Sequence, residues 1–286
     1  MLKRWKEKKK YYQLKQKILS LQSLHHPRIG ILWNRGLGDI PLGLCATIYT
    51  IKKLLPPASI TFLTRKDLEE GFSLVPGIHT SILPCKRGEK IEISTLPSFD
   101  LLIENLDPTL EMAWQRGRFI PKLQWDKSLD SLSSSLHLPQ QAIGVHLHSE
   151  TTYGYEKNWP EEKFKQLFSR FSTPIFLFGL HQKEPFAFPH VIDLRGKLGL
   201  LQTLAVIKNH CSVFVGPDSG LINMLYYLDV PFPLKLISLW ADARQGIFRQ
   251  AVVSPNPLLY HIPLLSSDTK SVAPLSVDLV YKTIKG

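Results

Sequence analysis

A short polar turn between two apolar segments carries the residues best suited to bind an anion. Residues 213–215 are β-branched or aromatic, as is typical of a buried parallel strand, and Asp218, Ser219 and Gly220 follow them. Such residues can cap the next helix while the backbone N–H groups of Ser219, Gly220 and Leu221 point outward. These donors suit a phosphate group, and Gly220 lets a ligand approach the backbone closely. The alternative is an ordinary strand-to-helix cap that binds nothing.

A second glycine-rich turn, over residues 34–39, ends in a carboxylate. It follows a predicted strand over residues 28–33 and precedes a predicted helix over residues 40–55, where Pro41 in the first turn needs no N–H partner. Asp39 would therefore lie at the carboxyl end of a strand, where open α/β sheets bind ligands, and is a candidate general base. The alternative is that Asp39 caps the helix. A dinucleotide site is disfavoured because the G-x-G-x-x-G pattern with a downstream acidic residue is missing.

The alternation of strands and helices predicts an α/β protein with two domains. The chain has 286 residues, of which 44% are hydrophobic, enough for two modest cores. A serine-rich stretch over residues 131–141 is the candidate linker; it can be helical, with Pro139 ending it. We expect a basic segment over residues 1–27 and domains over residues 28–138 and 139–270. Residues 271–286 should form a helix that packs back toward the first domain.

Hydropathy and cysteine content indicate a cytoplasmic protein. No apolar run is long enough to span a bilayer, and no apolar core follows the basic start as it would in a signal peptide. Cys45, Cys85 and Cys211 are widely spaced, which predicts reduced thiols. His146 and His148 would share one face of a strand, as metal ligands can, but no third ligand has suitable spacing. We therefore expect no metal site.

Positive charge is concentrated at the start of the chain. Residues 1–17 have a net charge of +7, out of +11 for the whole chain, and aromatic residues such as Trp5 and Tyr12 lie among the lysines. This composition suits a helix over residues 1–19 that lies on an anionic membrane surface. The alternative is a solvated terminal helix. Nucleic-acid binding is not expected, because no recognisable reader module is present and the charge is confined to one end.

Five motifs follow one another in residues 142–240. They are a strand ending at His146, Lys157-x-Trp159-Pro160, Phe178-Gly179, Asp193-Leu194-x-Gly196-Lys197, and the turn Asp218-Ser219-Gly220. Their order resembles the donor-binding half of glycosyltransferase family 9, the ADP-heptose:lipopolysaccharide heptosyltransferases. The N-terminal half resembles the same family in the turn that ends at Gly38-Asp39, in Val75-Pro76-Gly77-Ile78 and in the predicted strand at residues 100–103.

The resemblance implies a GT-B architecture, in which two Rossmann-like domains face each other across a cleft that holds the active site. It implies an inverting glycosyltransferase that moves a heptose from an ADP-heptose-type donor onto lipopolysaccharide or another glycan, without a metal or further cofactor. Asp39 matches the catalytic aspartate of the family, with Arg35 and Gly38 on the acceptor side. Lys157 would neutralise the diphosphate; the alternative for this residue is an exposed lysine.

Further donor-binding residues follow from the same resemblance. Ser149 and Thr151 could donate hydroxyls to the phosphates, and Glu184 corresponds to a ribose-binding carboxylate. Asn223 stands where the family has histidine, so it keeps hydrogen-bonding capacity without the option of positive charge. The first domain is also shorter than is usual in the family. Two alternatives stay open: a catalytically silent relative that binds a nucleotide sugar, and a basic scaffold that binds membrane or nucleic acid.

Overall fold

The computed structural model describes residues 2–108, 117–150, 154–181, 184 and 186–286, with residues 2–8 and 95 described by their backbone alone. The chain divides into two compact units. The first comprises Met1–Gln124 and Arg249–Val253, and the second comprises Trp125–Phe248 and Ser254–Gly286. Both units are parallel α/β structures, so the predicted fold class of two Rossmann-like units is confirmed.

The first unit contains a four-stranded parallel sheet in the order β3-β2-β1-β4. Its strands are β1 (Arg28–Trp33), β2 (Ser59–Thr64), β3 (His79–Ile82) and β4 (Leu101–Ile103), and a short strand β5 (Leu123–Gln124) follows. Its helices are α1 (Leu2–Leu19), a π-helix (Ile40–Leu44) continued by α2 (Cys45–Leu54), α3 (Glu69–Ser73), and short 3-10 helices at Lys66–Leu68 and Ile93–Thr95. The helix predicted over residues 40–55 is thus present, with a wider first turn.

The second unit contains a six-stranded parallel sheet in the order β12-β11-β9-β6-β7-β8. Its strands are β6 (Ala142–His146), β7 (Ile175–Phe178), β8 (Val191–Asp193), β9 (Cys211–Pro217), β11 (Leu234–Trp240) and β12 (Leu259–Leu265); the short β10 (Leu228–Asp229) lies outside this sheet. Its helices are α4 (Glu161–Phe168), α5 (Leu200–His210), α6 (Gly220–Tyr226), α7 (Gly246–Gln250), whose last two residues belong to the first unit, and α8 (Val277–Lys285). The central strands are apolar on both faces because helices cover both sides of such a sheet.

The predicted linker is a 3-10 helix, Lys127–Leu136, inside the second unit. Asn209 on α5 donates its side-chain amide to the Asp130 carbonyl at 3.0 Å and to Ser133 Oγ at 2.9 Å. Lys208 forms an ion pair with Asp130 at 2.8 Å. These contacts tie the segment to α5, which is why the compact units divide at residue 124 rather than at the expected residue 138.

The C-terminal helix α8 belongs to the second unit, where it packs near the end of α4. Asp278 pairs with Arg170, and the rings of Tyr281 and Phe171 lie 5.1 Å apart. Just before α8, the carbonyl of Leu275 accepts a hydrogen bond from Trp159 Nε1 at 2.9 Å. The predicted helix is present at Val277–Lys285, and Asp278 and Tyr281 contact residues of its own unit.

Two simpler expectations concern membrane spans and thiols. Within the described part of the chain, no helix is both long and apolar enough to cross a membrane. Cys45, Cys85 and Cys211 are free thiols, and Cys45 and Cys211 are buried. Burial raises the pKa of Cys45 to about 12, so this thiol is protonated at neutral pH.

Candidate functional site

Polar side chains gather at the carboxyl edge of the second sheet, where β6 and β9 end side by side. β6 ends at His146, and Asp218 and Ser219 follow β9 directly. His146 Nδ1 shares a hydrogen bond with Ser219 Oγ at 3.1 Å, and both side chains are buried. Because parallel strands present their carboxyl ends at one edge, residues far apart in the sequence meet here.

Ser219 is the N-cap of α6. Its backbone is extended, with φ −144° and ψ 165°, and its Oγ accepts a hydrogen bond from the backbone N–H of Ile222 at 3.4 Å. The capping geometry predicted for the Asp218-Ser219-Gly220 turn is therefore confirmed. Gly220 and Leu221 are the first two residues of α6.

Lys157 and Asp218 form a buried ion pair. Lys157 Nζ lies 2.7 Å from Asp218 Oδ2, and the two side chains are only 12% and 6% exposed. The same carboxylate oxygen accepts a hydrogen bond from the Tyr155 hydroxyl at 3.3 Å. This placement contradicts the alternative that Lys157 is an exposed lysine, and it fixes a positive group at the carboxyl edge.

The loop after β6 is tied to the segment that carries Lys157. Asn158 Oδ1 accepts a hydrogen bond from the backbone N–H of Ser149 at 2.7 Å, and Asn158 Nδ2 donates to the Ser149 carbonyl at 3.2 Å. This two-way bond holds the buried Ser149 near Lys157 in the fold. The predicted donor-binding residue Thr151 lies outside the described residues.

A buried arginine supports the loop after β7. Arg195 is 2% exposed and binds Asp193 through Nε at 2.9 Å and Nη2 at 2.6 Å. Its Nη2 also donates to the backbone carbonyl of Glu184 at 3.0 Å, while the Glu184 side chain is exposed. Arg195 was not among the residues predicted from the sequence, although an arginine two residues after an aspartate at a strand end is a detectable signal for a paired guanidinium.

Asn223 contributes an unsatisfied polar atom. The side chain is 3% exposed, and its Oδ1 has no hydrogen-bond partner among the described residues. The residue lies one turn into α6, and its backbone N–H donates to the Ser219 carbonyl at 3.1 Å. Side chains on a helix lean toward the preceding turn, which here is the Ser219 end. A buried acceptor of this kind costs about 1–3 kcal/mol when it stays unpaired.

Gly246 is a second residue that the sequence analysis missed. Its φ is +48°, and a Cβ atom there would lie 2.5 Å from Trp240 Cη2 and 2.9 Å from Asp218 Oδ1. Only glycine combines this backbone conformation with so little space. The loop before α7 can therefore approach the Lys157–Asp218 pair closely.

Asp39 in the first unit does not act as a side-chain cap. Its backbone is already helical, with φ −70° and ψ −20°, and its side chain makes no capping hydrogen bond with the following helix. The side chain is half-buried. A Cβ atom on Gly36 would lie 2.8 Å from Asp39 Oδ2 and 4.0 Å from Arg87 Nη2. Gly36 thus leaves the space that the Asp39 carboxylate occupies.

The two residues predicted on the acceptor side lie in the same turn. Arg35 is exposed, its guanidinium is 5.8 Å from the Trp33 ring, and its carbonyl accepts a hydrogen bond from Arg65 at 3.2 Å. The carbonyl of Gly38 accepts a hydrogen bond from the Leu42 N–H at 3.3 Å. The structure therefore brings Arg35, Gly38 and Asp39 together at the carboxyl end of β1.

His146 is neutral at neutral pH. Burial, and to a lesser extent the neighbouring His148, lowers the pKa of His146 to about 4. The part of the chain that the structure describes contains no group of three or more histidine, cysteine, aspartate or glutamate residues that could hold a metal ion. Within the site, His146 contacts Ser219 through the hydrogen bond between Nδ1 and Oγ.

Comparison with known proteins gives a result at the level of the fold. No protein-family model matches the sequence, and neither does any curated protein. The structure is similar to that of a glycosyl transferase family 9 protein from Veillonella parvula DSM 2008, with a TM-score of 0.61, 18% identity, and coverage of 91% of this chain and 96% of that one. The chain has the fold of family 9 glycosyltransferases. The resemblance predicted from the motifs is confirmed at this level.

Two Escherichia coli proteins show the same likeness. ADP-heptose lps heptosyltransferase II has a TM-score of 0.60 and 16% identity, with 90% of this chain and 97% of that one covered. Heptosyltransferase WaaC with ADP has a TM-score of 0.54 and 15% identity, with the same coverage. Since nearly the whole of each chain is covered, both units share in the likeness.

Proposed function

We propose that the protein is an inverting glycosyltransferase that transfers a sugar from a nucleotide diphosphate to a hydroxyl group of a glycan. The observation that most supports this proposal is the buried Lys157–Asp218 pair beside the cap of α6, in a chain with the family 9 fold. A buried ammonium group and a helix start at one sheet edge are suited to the charge of a diphosphate leaving group.

Lys157 is proposed to bind the diphosphate while it stays paired. An ammonium group has three N–H donors, and the contact with Asp218 Oδ2 uses one of them. The others can donate to phosphate oxygens, together with the backbone N–H groups of Ser219, Gly220 and Leu221. Ser149 is held close by through Asn158, and Asn223 Oδ1 is an acceptor that a donor-substrate hydroxyl could satisfy.

Asp39 is proposed as the general base. It would take the proton from the acceptor hydroxyl, whose oxygen attacks the anomeric carbon as the bond to the diphosphate breaks. The negative charge that develops on the leaving phosphate is then stabilised by Lys157. Attack from the face opposite the leaving group inverts the anomeric centre. The place of Asp39 just after the carboxyl end of β1, with its side chain partly exposed, supports a chemical role for its carboxylate.

The finer assignments rest on the named structural neighbours. One of them is described with ADP and another as an ADP-heptose lps heptosyltransferase, so we propose an ADP-linked heptose as the donor. The corresponding acceptor is lipopolysaccharide or a related glycan. Glu184, on the loop supported by Arg195, is proposed to bind the ribose, and Arg35 and Gly38 are proposed to contact the acceptor.

We also propose that α1 contacts the anionic cytoplasmic face of a membrane. Ile18, near the end of α1, is 1% exposed and anchors the helix to the first unit, whereas Lys10 and Lys17 are exposed and Tyr12 is 61% exposed. Exposed lysines around an exposed aromatic ring suit a surface with anionic headgroups. A glycolipid acceptor would be presented at such a surface.

A ligand screen tests the proposed reaction. We expect ADP, and more strongly an ADP-sugar, to raise the melting temperature, because a ligand at a hundredfold excess over its Kd stabilises the folded state by about 2.7 kcal/mol. Mass spectrometry should then detect transfer of the sugar or its slow hydrolysis. Binding without turnover would favour the silent relative, and the absence of any shift with ADP, UDP or GDP would contradict the proposal.

A further inference from the structure

The helix that follows Asp39 opens with an unusually wide turn. The backbone N–H of Cys45 donates to the carbonyl of Ile40, five residues back, whereas an α-helix would use the carbonyl of Pro41. This π-helix spans Ile40–Leu44 and is wholly buried. Single π turns within helices are often found at functional sites, where the wider turn changes the direction of the chain.

A side chain from a distant part of the sequence supports this turn. Gln250 lies in the returning segment Arg249–Val253 of the first unit and is 3% exposed. Its Nε2 donates to the carbonyl of Leu42 at 2.6 Å and to that of Pro41 at 3.3 Å. The backbone of Gln250 is itself held, because its carbonyl accepts a hydrogen bond from the N–H of Gly117 at 2.9 Å.

We propose that Gln250 is a positioning residue for the Asp39 carboxylate, an inference that rests on the proposed function. The backbone of Asp39 is helical and runs directly into the π-helix, whose first residue is Ile40. The position of the Asp39 backbone, from which the carboxylate projects, therefore depends on the turn that Gln250 holds. A general base must lie within hydrogen-bond reach of its proton, and a shift of about 1 Å can lower the rate about 100-fold.

The competing interpretation is that Gln250 only stabilises the first unit. It predicts that removing the amide lowers the stability and leaves the rate and its pH dependence unchanged in the folded protein. The positioning role predicts a lower kcat with an unchanged KM for the donor, since the proposed donor-binding residues belong to the second unit.

The test uses the full-length protein with two substitutions at this position. Gln250→Met keeps the approximate volume and removes the donor, and we expect kcat to fall about 10- to 100-fold with the donor KM within about twofold. Hydrogen exchange of backbone amides in residues 40–45 should become faster. At neutral pH, Gln250→Glu should have a kcat as low as that of Gln250→Met. At acid pH its kcat should move closer to that of the parent at the same pH, because a protonated carboxyl group can donate one hydrogen bond.

Thr50→Val is the matched control. The Thr50 hydroxyl is buried on α2 and donates to the Ala46 carbonyl at 2.9 Å, so this variant also loses a buried hydrogen bond but leaves the π-helix contacts in place. We expect it to lose stability and keep kcat. An unchanged kcat in Gln250→Met, or an equal loss in Thr50→Val, overturns the proposal. If the parent protein has no turnover, the proposed function fails. Hydrogen exchange of the backbone amides in residues 40–45, compared between Gln250→Met and the parent, then tests separately whether Gln250 holds the turn.

Discussion

Replacing Lys157 with methionine removes one partner of the buried ion pair and leaves the other in place. Asp218 would then be a carboxylate that is 6% exposed and that keeps, among the described residues, the Tyr155 hydroxyl at 3.3 Å as a side-chain donor. Removing one partner of a buried pair typically costs about 3–5 kcal/mol. Because the Tyr155 bond survives, we expect a loss near the lower end, about 3 kcal/mol, in the free energy of unfolding measured with urea.

The same variant tests the role of Lys157 in binding the donor. Each hydrogen bond between a charged donor and phosphate contributes about 1.5–3 kcal/mol, so losing one should weaken ADP binding about 10- to 100-fold. Isothermal titration calorimetry on the folded variant measures this change directly. A double variant, Lys157→Met with Asp218→Leu, should lose less stability than the sum of the two single variants, because the pair is then replaced by apolar groups.

Lys163→Met is the control. Lys163 is also partly buried, but its Nζ donates to the backbone carbonyls of Ala273 and Leu275 and forms no ion pair with a carboxylate of the described residues. We expect it to lose some stability and to bind ADP like the parent. A loss of less than about 1 kcal/mol in Lys157→Met, as expected for a surface pair, would contradict the role of the buried pair, and ADP binding as tight as in the parent would contradict the role of Lys157 in donor binding.

Three further predictions concern the base, the histidines His146 and His261, and the N-terminal helix. Asp39→Asn should keep its fold and ADP affinity but lose about 100-fold or more in transfer or donor hydrolysis, because an amide cannot accept the proton; a rate equal to that of the parent would leave Asp39 without a catalytic role. Burial lowers the pKa of His146 and of His261 to about 4 from 6.5, so the unfolded chain binds more protons between these values and stability falls as the pH falls through that window. The free energy of unfolding measured with urea should therefore be about 2 kcal/mol lower per histidine at pH 5 than at pH 7. This difference should be smaller in His261→Gln. A free energy of unfolding that does not change with pH would contradict the prediction. Replacing three basic residues of α1 by glutamine should weaken sedimentation with phosphatidylglycerol vesicles by about 10-fold or more, and added salt should also weaken it. The same replacement at three exposed lysines of the second unit is the control and should leave sedimentation unchanged. The α1 set is Lys10, Lys15 and Lys17, the control set is Lys127, Lys270 and Lys282, and equal binding by both variants would contradict membrane contact through α1.

Local patterns in the sequence were sufficient to predict strands and helices such as β9 and α6 and where they begin or end. The apolar run before Asp218 predicted β9, and the serine after it predicted the start of α6, because capping depends on residues within one turn of the helix. Five weak motifs in a fixed order also predicted the family 9 fold, which the structural likeness confirms. These features could be read directly because each depends on neighbouring residues or on their order.

Contacts between distant residues needed the tertiary structure. Lys157 and Asp218 are 61 positions apart, and Gln250 is 208 positions from Leu42, yet each pair is within hydrogen-bond distance. The sequence suggested Lys157 as a cation but gave no sign of its carboxylate partner, and it gave no sign of Gln250. Lys157 and Asp218 meet where parallel strands joined by helices end at one sheet edge, and neither pair has a spacing along the chain that indicates its contact.

The boundary between the two units likewise depends on contacts between residues that are distant in the sequence. The serine-rich stretch has the composition of a linker, but the contacts of Asp130 and Ser133 with α5 make it part of the second unit. The sequence predicted a helix in residues 271–286 and placed it toward the first domain; in the structure, Asp278 and Tyr281 of α8 contact Arg170 and Phe171 of the second unit. Composition and periodicity determine that a segment forms a helix and which of its faces is apolar, whereas the partner of that face depends on which surfaces the rest of the fold leaves uncovered.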